Sequence, residues 1–176
     1  TGILTLAGSI FSGDTGPVNL GLIGANTSAN TVSGGISDGL STLSLFKYGV
    51  GTWVISGSNA YSGPTTLGNY KSASPYVSDG ILRLANSHAL GTGILNIKGN
   101  YQTGTVELMG DVTVTNDVLL DSRQQATQGP AIRNLSGTNT LGGVLTGSFG
   151  GAIYNFKSAA GLFIICNKIT TLGTSG

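Results

Sequence analysis

The sequence has little charge and no long apolar run. Of its 176 residues, 8 are lysine or arginine and 7 are aspartate or glutamate, so charged residues make up 9% of the chain instead of the usual quarter. The net charge is +1 and the basic residues are scattered singly along the sequence, whereas a nucleic-acid partner requires a basic face. No apolar run approaches the ~20 residues of a membrane-spanning helix. We expect neither a nucleic-acid partner nor a membrane span.

Cysteine and histidine each occur once, which excludes an internal disulfide. Cys166 follows the apolar run 162–165, where we expect a small buried hydrophobic residue with a structural role. His88 and Cys166 are too far apart in sequence to form a zinc site, and we expect His88 at a solvent-facing corner. The Asp-rich calcium motifs are absent. We expect no cofactor.

Glycine and apolar residues are abundant instead. The chain holds 30 glycines, and 39% of its residues are hydrophobic, which argues against disorder. Short alternating runs such as 52–55 and 65–67 are separated by Gly, Asn and Ser, residues that turn corners. Regular short strands of this kind predict an all-β fold, in the form of a sandwich, a barrel or a solenoid.

Two features favour the solenoid. The segments 53–59 and 133–139 both end in Ser-Gly, a polar residue and Asn, which is a loose internal repeat. The corners are small and polar and lack the Asn-Gly pairs of tight hairpins, as expected where coils stack in parallel. We predict a parallel β-helix, with an antiparallel β-sandwich as the alternative.

The stretch from about 46 to 97 resembles a known family. GTWVISGSNAYSGPTTL at 51–67 and GILRLANSHALGTG at 80–93 are similar to the autotransporter-associated β-strand repeat of bacterial type V secreted and other large surface proteins. Its pattern runs G-T-W/L-x-L-S-G-x-N-x-Y-x-G-x-T, G-x-L-x-L and N-x-x-A-L-G-T-G. The resemblance implies a right-handed parallel β-helix in an exported stalk that supports secretion and folding. The matching positions to which we assign structural roles are Trp53, Gly57, Asn59, Gly63, Leu82, Leu84, Leu90 and Gly91.

The chain departs from the repeat pattern at residues 69–78, which look like a loop inserted between two coils. Tyr70, Lys71 and Tyr76 belong to this loop. Aromatic and basic side chains on a loop are suited to contact with a ligand. We predict these three residues as the binding surface.

Candidate catalytic groups are few. Asp111, Asp117 and Asp121, with Arg123 nearby, are the closest grouping of the kind that glycan-cleaving enzymes need, but isolated Asp beside Gly and Asn usually caps a turn. A stacking platform for sugars could include Trp53 and the tyrosines. Because Trp53 alternates with Gly51 and Ile55, we expect it in the core. We predict that the chain is not an enzyme.

We interpret residues 1–176 as a single solenoid segment of a larger protein, since the chain opens without Met on what reads as mid-strand sequence. The predicted function is that of a non-enzymatic structural segment of an extracellular bacterial surface or autotransporter passenger protein. Self-association through solenoid ends is expected because unpaired strand edges recruit other chains. The alternatives are a module that binds or cleaves glycans, and an adhesin that contacts proteins through the 69–78 loop.

Overall fold

The described part of the chain is built from strands. The computed structural model describes residues 2–68, 80–100, 102–123, 129–148 and 152–171. No helix in these ranges is long and apolar enough to cross a membrane. In chain order the strands are β1 (Thr5–Leu6), β2 (Ile10–Phe11), β3 (Val18–Leu22), β4 (Asn30–Val32), β5 (Ile36–Ser37), β6 (Leu43–Lys47), β7 (Thr52–Ile55), β8 (Thr65–Leu67), β9 (Ile81–Leu84), β10 (Leu95–Asn100), β11 (Gln102–Thr103), β12 (Thr105–Met109), β13 (Thr113–Val114), β14 (Val118–Arg123), β15 (Ile132–Ser136), β16 (Thr138–Leu141), β17 (Leu145–Gly147), β18 (Phe156–Ser158), β19 (Leu162–Ile165) and β20 (Ile169–Thr171).

These strands wind into coils, each of which passes through the same faces in turn. The first sheet has the order β1-β4-β7-β9-β12-β15-β18, and the second runs β3-β6-β8-β10-β14-β17-β20. A third face carries two shorter sheets, the two-stranded β2-β5 and the three-stranded β13-β16-β19. Seven strands in the first sheet correspond to about six turns of a solenoid. The predicted all-β parallel β-helix is confirmed.

The sandwich alternative is wrong for the described residues. Strands of the first sheet pair in parallel with the strand one coil further along the chain, as in Leu6 with Val32 and Ile55 with Leu84. Among these residues the antiparallel pairing is confined to β11, which folds back on β10. Parallel neighbours need a crossover connection, and here the rest of the coil is that connection.

The interior consists of apolar rows that run along the solenoid axis. Alternate side chains of a strand point to opposite faces, so β6 buries every second residue. Parallel register then stacks each inward residue on its equivalent in the next coil. One such row holds Leu6, Val32, Ile55, Leu84 and Leu108, and a second holds Trp53, Leu82, Val106 and Ile132. Burial of apolar surface contributes roughly 25 cal/mol per Å², so these rows hold the coils together without disulfides.

Buried asparagines connect coils on the third face. Asn59 accepts the N–H of Ile36 at 2.8 Å, and its side-chain amide donates to the carbonyl oxygen of Ala89 at 2.6 Å. Asn59 thus bonds to the coil before and the coil after its own. Asn139 occupies the equivalent place and accepts the N–H of Val112 at 2.8 Å. The loose internal repeat in the sequence therefore corresponds to a repeated hydrogen-bonding position.

Close backbone approach explains the glycines of the repeat. A methyl group at Gly57 would overlap the carbonyl oxygen of Gly34, and one at Gly63 would overlap that of Leu43. Gly91 has a φ of 58°, a conformation that glycine adopts without steric cost. The corners therefore tolerate few side chains.

We expect Leu84→Ala to lower the free energy of unfolding by about 2–5 kcal/mol, because the side chain is fully buried and its neighbours cannot fill the cavity. Ile23→Ala, at an exposed residue, is the control and should cost under about 1 kcal/mol. Urea unfolding followed by circular dichroism measures both. Equal losses in the two variants would contradict the interior placement of Leu84.

Candidate functional site

The sequence predicts a contact loop at residues 69–78. Tyr70, Lys71 and Tyr76, like the rest of the 69–78 loop, lie outside the described residues. Their assignment as a binding surface stays a prediction from the sequence.

The three aspartates considered for catalysis each accept a hydrogen bond from the following coil. Such bonds fix a carboxylate in place and stabilise the packing of one coil on the next. These bonds connect neighbouring coils, whereas the turn cap expected from the sequence would bond within its own turn. The bonds run to Asp111 from the N–H of Thr138 (2.6 Å), to Asp117 from the N–H of Val144 (2.8 Å) and to Asp121 from the hydroxyl of Ser148 (2.7 Å).

Asp38 accepts more hydrogen bonds at its corner than any of these three aspartates does. Its Oδ1 accepts the N–H of Leu43 at 2.8 Å, and both its carboxylate oxygens accept the N–H of Ser62 in the next coil at 3.1 Å. Hydrogen bonds from the Ser62 side chain, then from the N–H groups of Leu43 and Ser62, lower the pKa of Asp38 below its ordinary value of 3.8. The carboxylate is the form that these donors stabilise.

The two potential metal ligands singled out by the sequence lie apart from any cluster. His88 is exposed at a corner of the third face, and its N–H donates to Oδ1 of Asn86 at 2.8 Å. The expectation of a buried Cys166 is wrong, because its side chain is exposed. It follows β19, and no described coil covers the far side of that strand. Within the described ranges no three His, Cys, Asp or Glu side chains group as metal ligands.

The aromatic residues of the repeat are in the interior. Trp53 is buried, and its indole N–H donates to the carbonyl oxygen of Ile23 at 3.3 Å. Tyr61 is also fully buried, with its hydroxyl bonded to Thr65, and burial raises the pKa of Tyr61. Neither ring is available for stacking with a sugar at the surface.

The sequence contains a nucleophile pattern that was not recognised in the prediction of a non-enzymatic protein. Residues 35–39 fit Gly-x-Ser-x-Gly, the pattern that places a nucleophilic serine on a strand-to-helix turn. Here Ser37 lies in β5 of a parallel coil, and the next residue, Asp38, is bonded to Leu43 and Ser62. No helix follows Ser37 in the described region. The motif therefore lacks the structural context of a hydrolase.

The first sheet carries a row of charged side chains on its outer face. Register places Arg83, Glu107, Arg133 and Lys157 next to one another in four successive coils, and we call them the charged row. Glu107 Oε2 lies 2.7 Å from Nε of Arg83, and Oε1 pairs with Nη2 of Arg133. Glu107 is 0% exposed, whereas the two arginine side chains are 23% and 29% exposed. The carboxylate is thus enclosed between two guanidinium groups.

The charged row was not predicted from the sequence, in which the basic residues are scattered singly. A signal for it is nevertheless present in the spacing of the charges. The separation is 24 residues from Arg83 to Glu107 and 26 from Glu107 to Arg133, each of which is one coil. A search for charges at the coil period would have found the row.

A buried lysine also went unnoticed. Lys47 is fully buried in the interior row that contains Leu22 and Leu67, and its ammonium group donates to the carbonyl oxygen of Gly49 at 2.6 Å. The alternation Leu43, Leu45, Lys47 along β6 points it inward. Its place in the core indicates a structural role at this corner.

Comparison with known proteins finds one informative similarity. The chain is 29% identical over 152 residues, 81% of its length, to the protein named "Adhesin BmaC autotransporter" of Brucella suis biovar 1 (strain 1330). The matched region is 3% of that protein's length. No protein-family model matches the chain, and no solved structure matches it. The similarity and the parallel solenoid both fit an autotransporter passenger repeat.

We expect Asp38→Ala to lower the urea midpoint at neutral pH. Since the folded-state pKa of Asp38 is depressed, its contribution is present above the unfolded-state pKa and is lost as pH falls through the folded-state pKa. The difference between wild type and variant should therefore shrink on acidification below about pH 4. Asp14→Ala is the control, because the described hydrogen bond to the Asp14 carboxylate comes from the N–H of Thr15, within the same corner. A difference that stays constant with pH would contradict this role for Asp38.

Proposed function

We propose that the chain is a non-enzymatic structural segment of the passenger of a bacterial autotransporter-type surface protein related to adhesins. The observation that carries the proposal is the parallel solenoid in combination with the similarity to the Brucella adhesin over 81% of the chain. The Brucella protein is far longer than this chain, so the role of the whole passenger is part of the proposal. The location that follows is the bacterial cell surface.

The commitment of the carboxylates supports a non-enzymatic role. General acid–base catalysis needs a carboxyl group within reach of the substrate. All six carboxylates in the described residues are bound within the protein, five of them to a neighbouring coil or to a basic side chain of one. Carboxylates bound in this way stabilise the fold.

The function that this architecture supports is mechanical. Each coil presents a row of strand edges and an apolar surface on which the next coil forms, at about 4.8 Å per coil. Stability is then a sum of coil and interface contributions. A chain that emerges from a secretion pore is able to fold coil by coil. The resulting rod then holds any attached domain at a distance from the cell.

The first test is surface display. The chain would replace a solenoid segment of equal length in an autotransporter passenger that retains its own translocator. We expect antibody to label the chain on intact cells and added protease to remove it. Leu84→Asp, which places a charge in the core, should reduce display strongly, whereas Ile23→Asp at an exposed position is the matched control.

The outcome that would contradict the proposal is retention of the wild-type chain inside the cell while the same translocator displays its native passenger. Equal display of the Leu84→Asp and Ile23→Asp variants would contradict a contribution of coil folding to export.

We propose further that the isolated chain associates end to end. In the last described coil, Leu162 and Ile169 are 55% and 61% exposed, and β18, β19 and β20 have a neighbour on one side only. Exposed apolar side chains beside unpaired strand edges favour pairing with another chain. In a longer protein, further coils would occupy this surface.

We expect sedimentation velocity over a concentration series to show association of the wild-type chain and its weakening by Leu162→Lys combined with Ile169→Lys. Leu40→Lys, at an exposed corner away from this coil, is the control and should associate as wild type does. A monomeric wild type at high concentration, or equal weakening by the control, would contradict association through this coil.

A further inference from the structure

We infer that the charged row is a binding surface for an acidic polysaccharide, one whose sugar units bear carboxylate or sulfate groups. The inference rests on the proposed function, since a surface-displayed rod meets the glycans of other cells and of their surroundings. It concerns the outer face of the first sheet and is independent of the predicted 69–78 loop.

The charged row carries a net positive charge. Arg83, Arg133 and Lys157 contribute three positive charges and Glu107 contributes one negative charge, which leaves two positive charges within four coils. The whole chain has a net charge of only +1. The row therefore concentrates positive charge on one face of a protein that is otherwise nearly neutral.

At the Lys157 end of the row, no carboxylate of the described residues compensates the positive charge of the lysine. Register places Arg133 directly beside Lys157, and like charges opposite each other in a sheet are destabilising. Lys157 is exposed and has no ion-pair partner among the described residues. Nε of Arg133 is buried without a hydrogen-bond partner. An anionic group over these two residues would relieve the repulsion between them.

The other described carboxylates are bonded elsewhere and do not pair with Lys157. The other described aspartates lie at corners or on the second sheet, where Asp111 bonds to Thr138 and Asp121 to Ser148. Glu107 has one oxygen on Arg83 and the other on Arg133. Among the described residues no other carboxylate is available to Lys157, and a ligand is able to supply the negative group.

The shape of the surface favours a linear polymer. The cationic groups follow the solenoid axis on a sheet, at multiples of the strand spacing of about 4.8 Å. A polysaccharide with a negative group on successive units is able to lie along such a row. Each exposed charge contact is weak, so affinity would come from several contacts to one polymer chain and would fall with salt.

The test is binding of the purified full chain to immobilised heparin, hyaluronate and dextran, which are sulfated, carboxylated and neutral polymers, by surface plasmon resonance. We expect binding to heparin and more weakly to hyaluronate, no binding to dextran, and progressive loss as sodium chloride is raised. A salt-independent signal, or equal binding to dextran, would overturn the inference.

Variants at Lys157 give the sharper readout, because this exposed side chain has no ion-pair partner in the part of the chain that the structure describes. We expect Lys157→Arg to retain heparin affinity, Lys157→Gln to weaken it about two- to fivefold, and Lys157→Glu to weaken it about tenfold. Lys168→Glu is the matched control, because Lys168 is an exposed lysine of the same coil that lies just before β20 of the second sheet. The Lys168→Glu variant should bind heparin as wild type does. Thermal unfolding should be alike in all four variants.

Equal weakening by Lys157→Glu and Lys168→Glu would overturn the assignment to the row and leave only a general charge effect. Binding of a DNA duplex or of phosphatidylserine vesicles at least as strong as that of heparin, with the same dependence on Lys157, would overturn the polysaccharide assignment. The display test separates the two proposals, since Lys157→Glu should be displayed as well as wild type. Normal display without heparin binding would refute only the inference about the row.

Discussion

Parallel pairing between successive coils is the constraint on which the rest of the structure depends. It places each side chain next to its equivalents one coil before and one coil after, so whole rows share one environment. An interior row is stable when it is apolar, as in Ile55, Leu84 and Leu108, or when its polar members find partners within the stack. Asn59 meets that condition through bonds to two neighbouring coils, and the amide thereby satisfies buried backbone groups that would otherwise be unpaired.

The same register also creates rows on the outside, where charge replaces apolar contact. Glu107 is fully buried although it lies on the outer face, and desolvation of a carboxylate is costly unless it is well paired. The guanidinium groups of Arg83 and Arg133 supply that pairing, one to each oxygen. Positive charge remains at one end of the row, because the register of β15 and β18 aligns Arg133 with Lys157. The binding proposed for this surface needs no cleft.

Low charge is consistent with such a molecule. The corners of successive coils lie close together in a solenoid. Gly57 and Gly63 are so near the backbone of the preceding coil that no side chain would fit there. The few carboxylates at corners, such as Asp38 and Asp117, accept N–H groups that a strand leaves unpaired where it turns. Charge is thus used for connections between coils.

The sequence by itself determined the class of fold, because period-two alternation, small polar corners and the spacing of the repeat all describe one coil at a time. It also indicated the interior place of Trp53 and Leu84, since alternation is local. It did not reveal that Arg83, Glu107 and Arg133 form one row, or that Lys157 ends it. The apolar run before Cys166 also led to the wrong prediction that this residue is buried. Those facts depend on which residues of different coils lie side by side and on which faces are covered. Coil lengths vary between neighbouring turns, so that alignment is decided only when the strands pair.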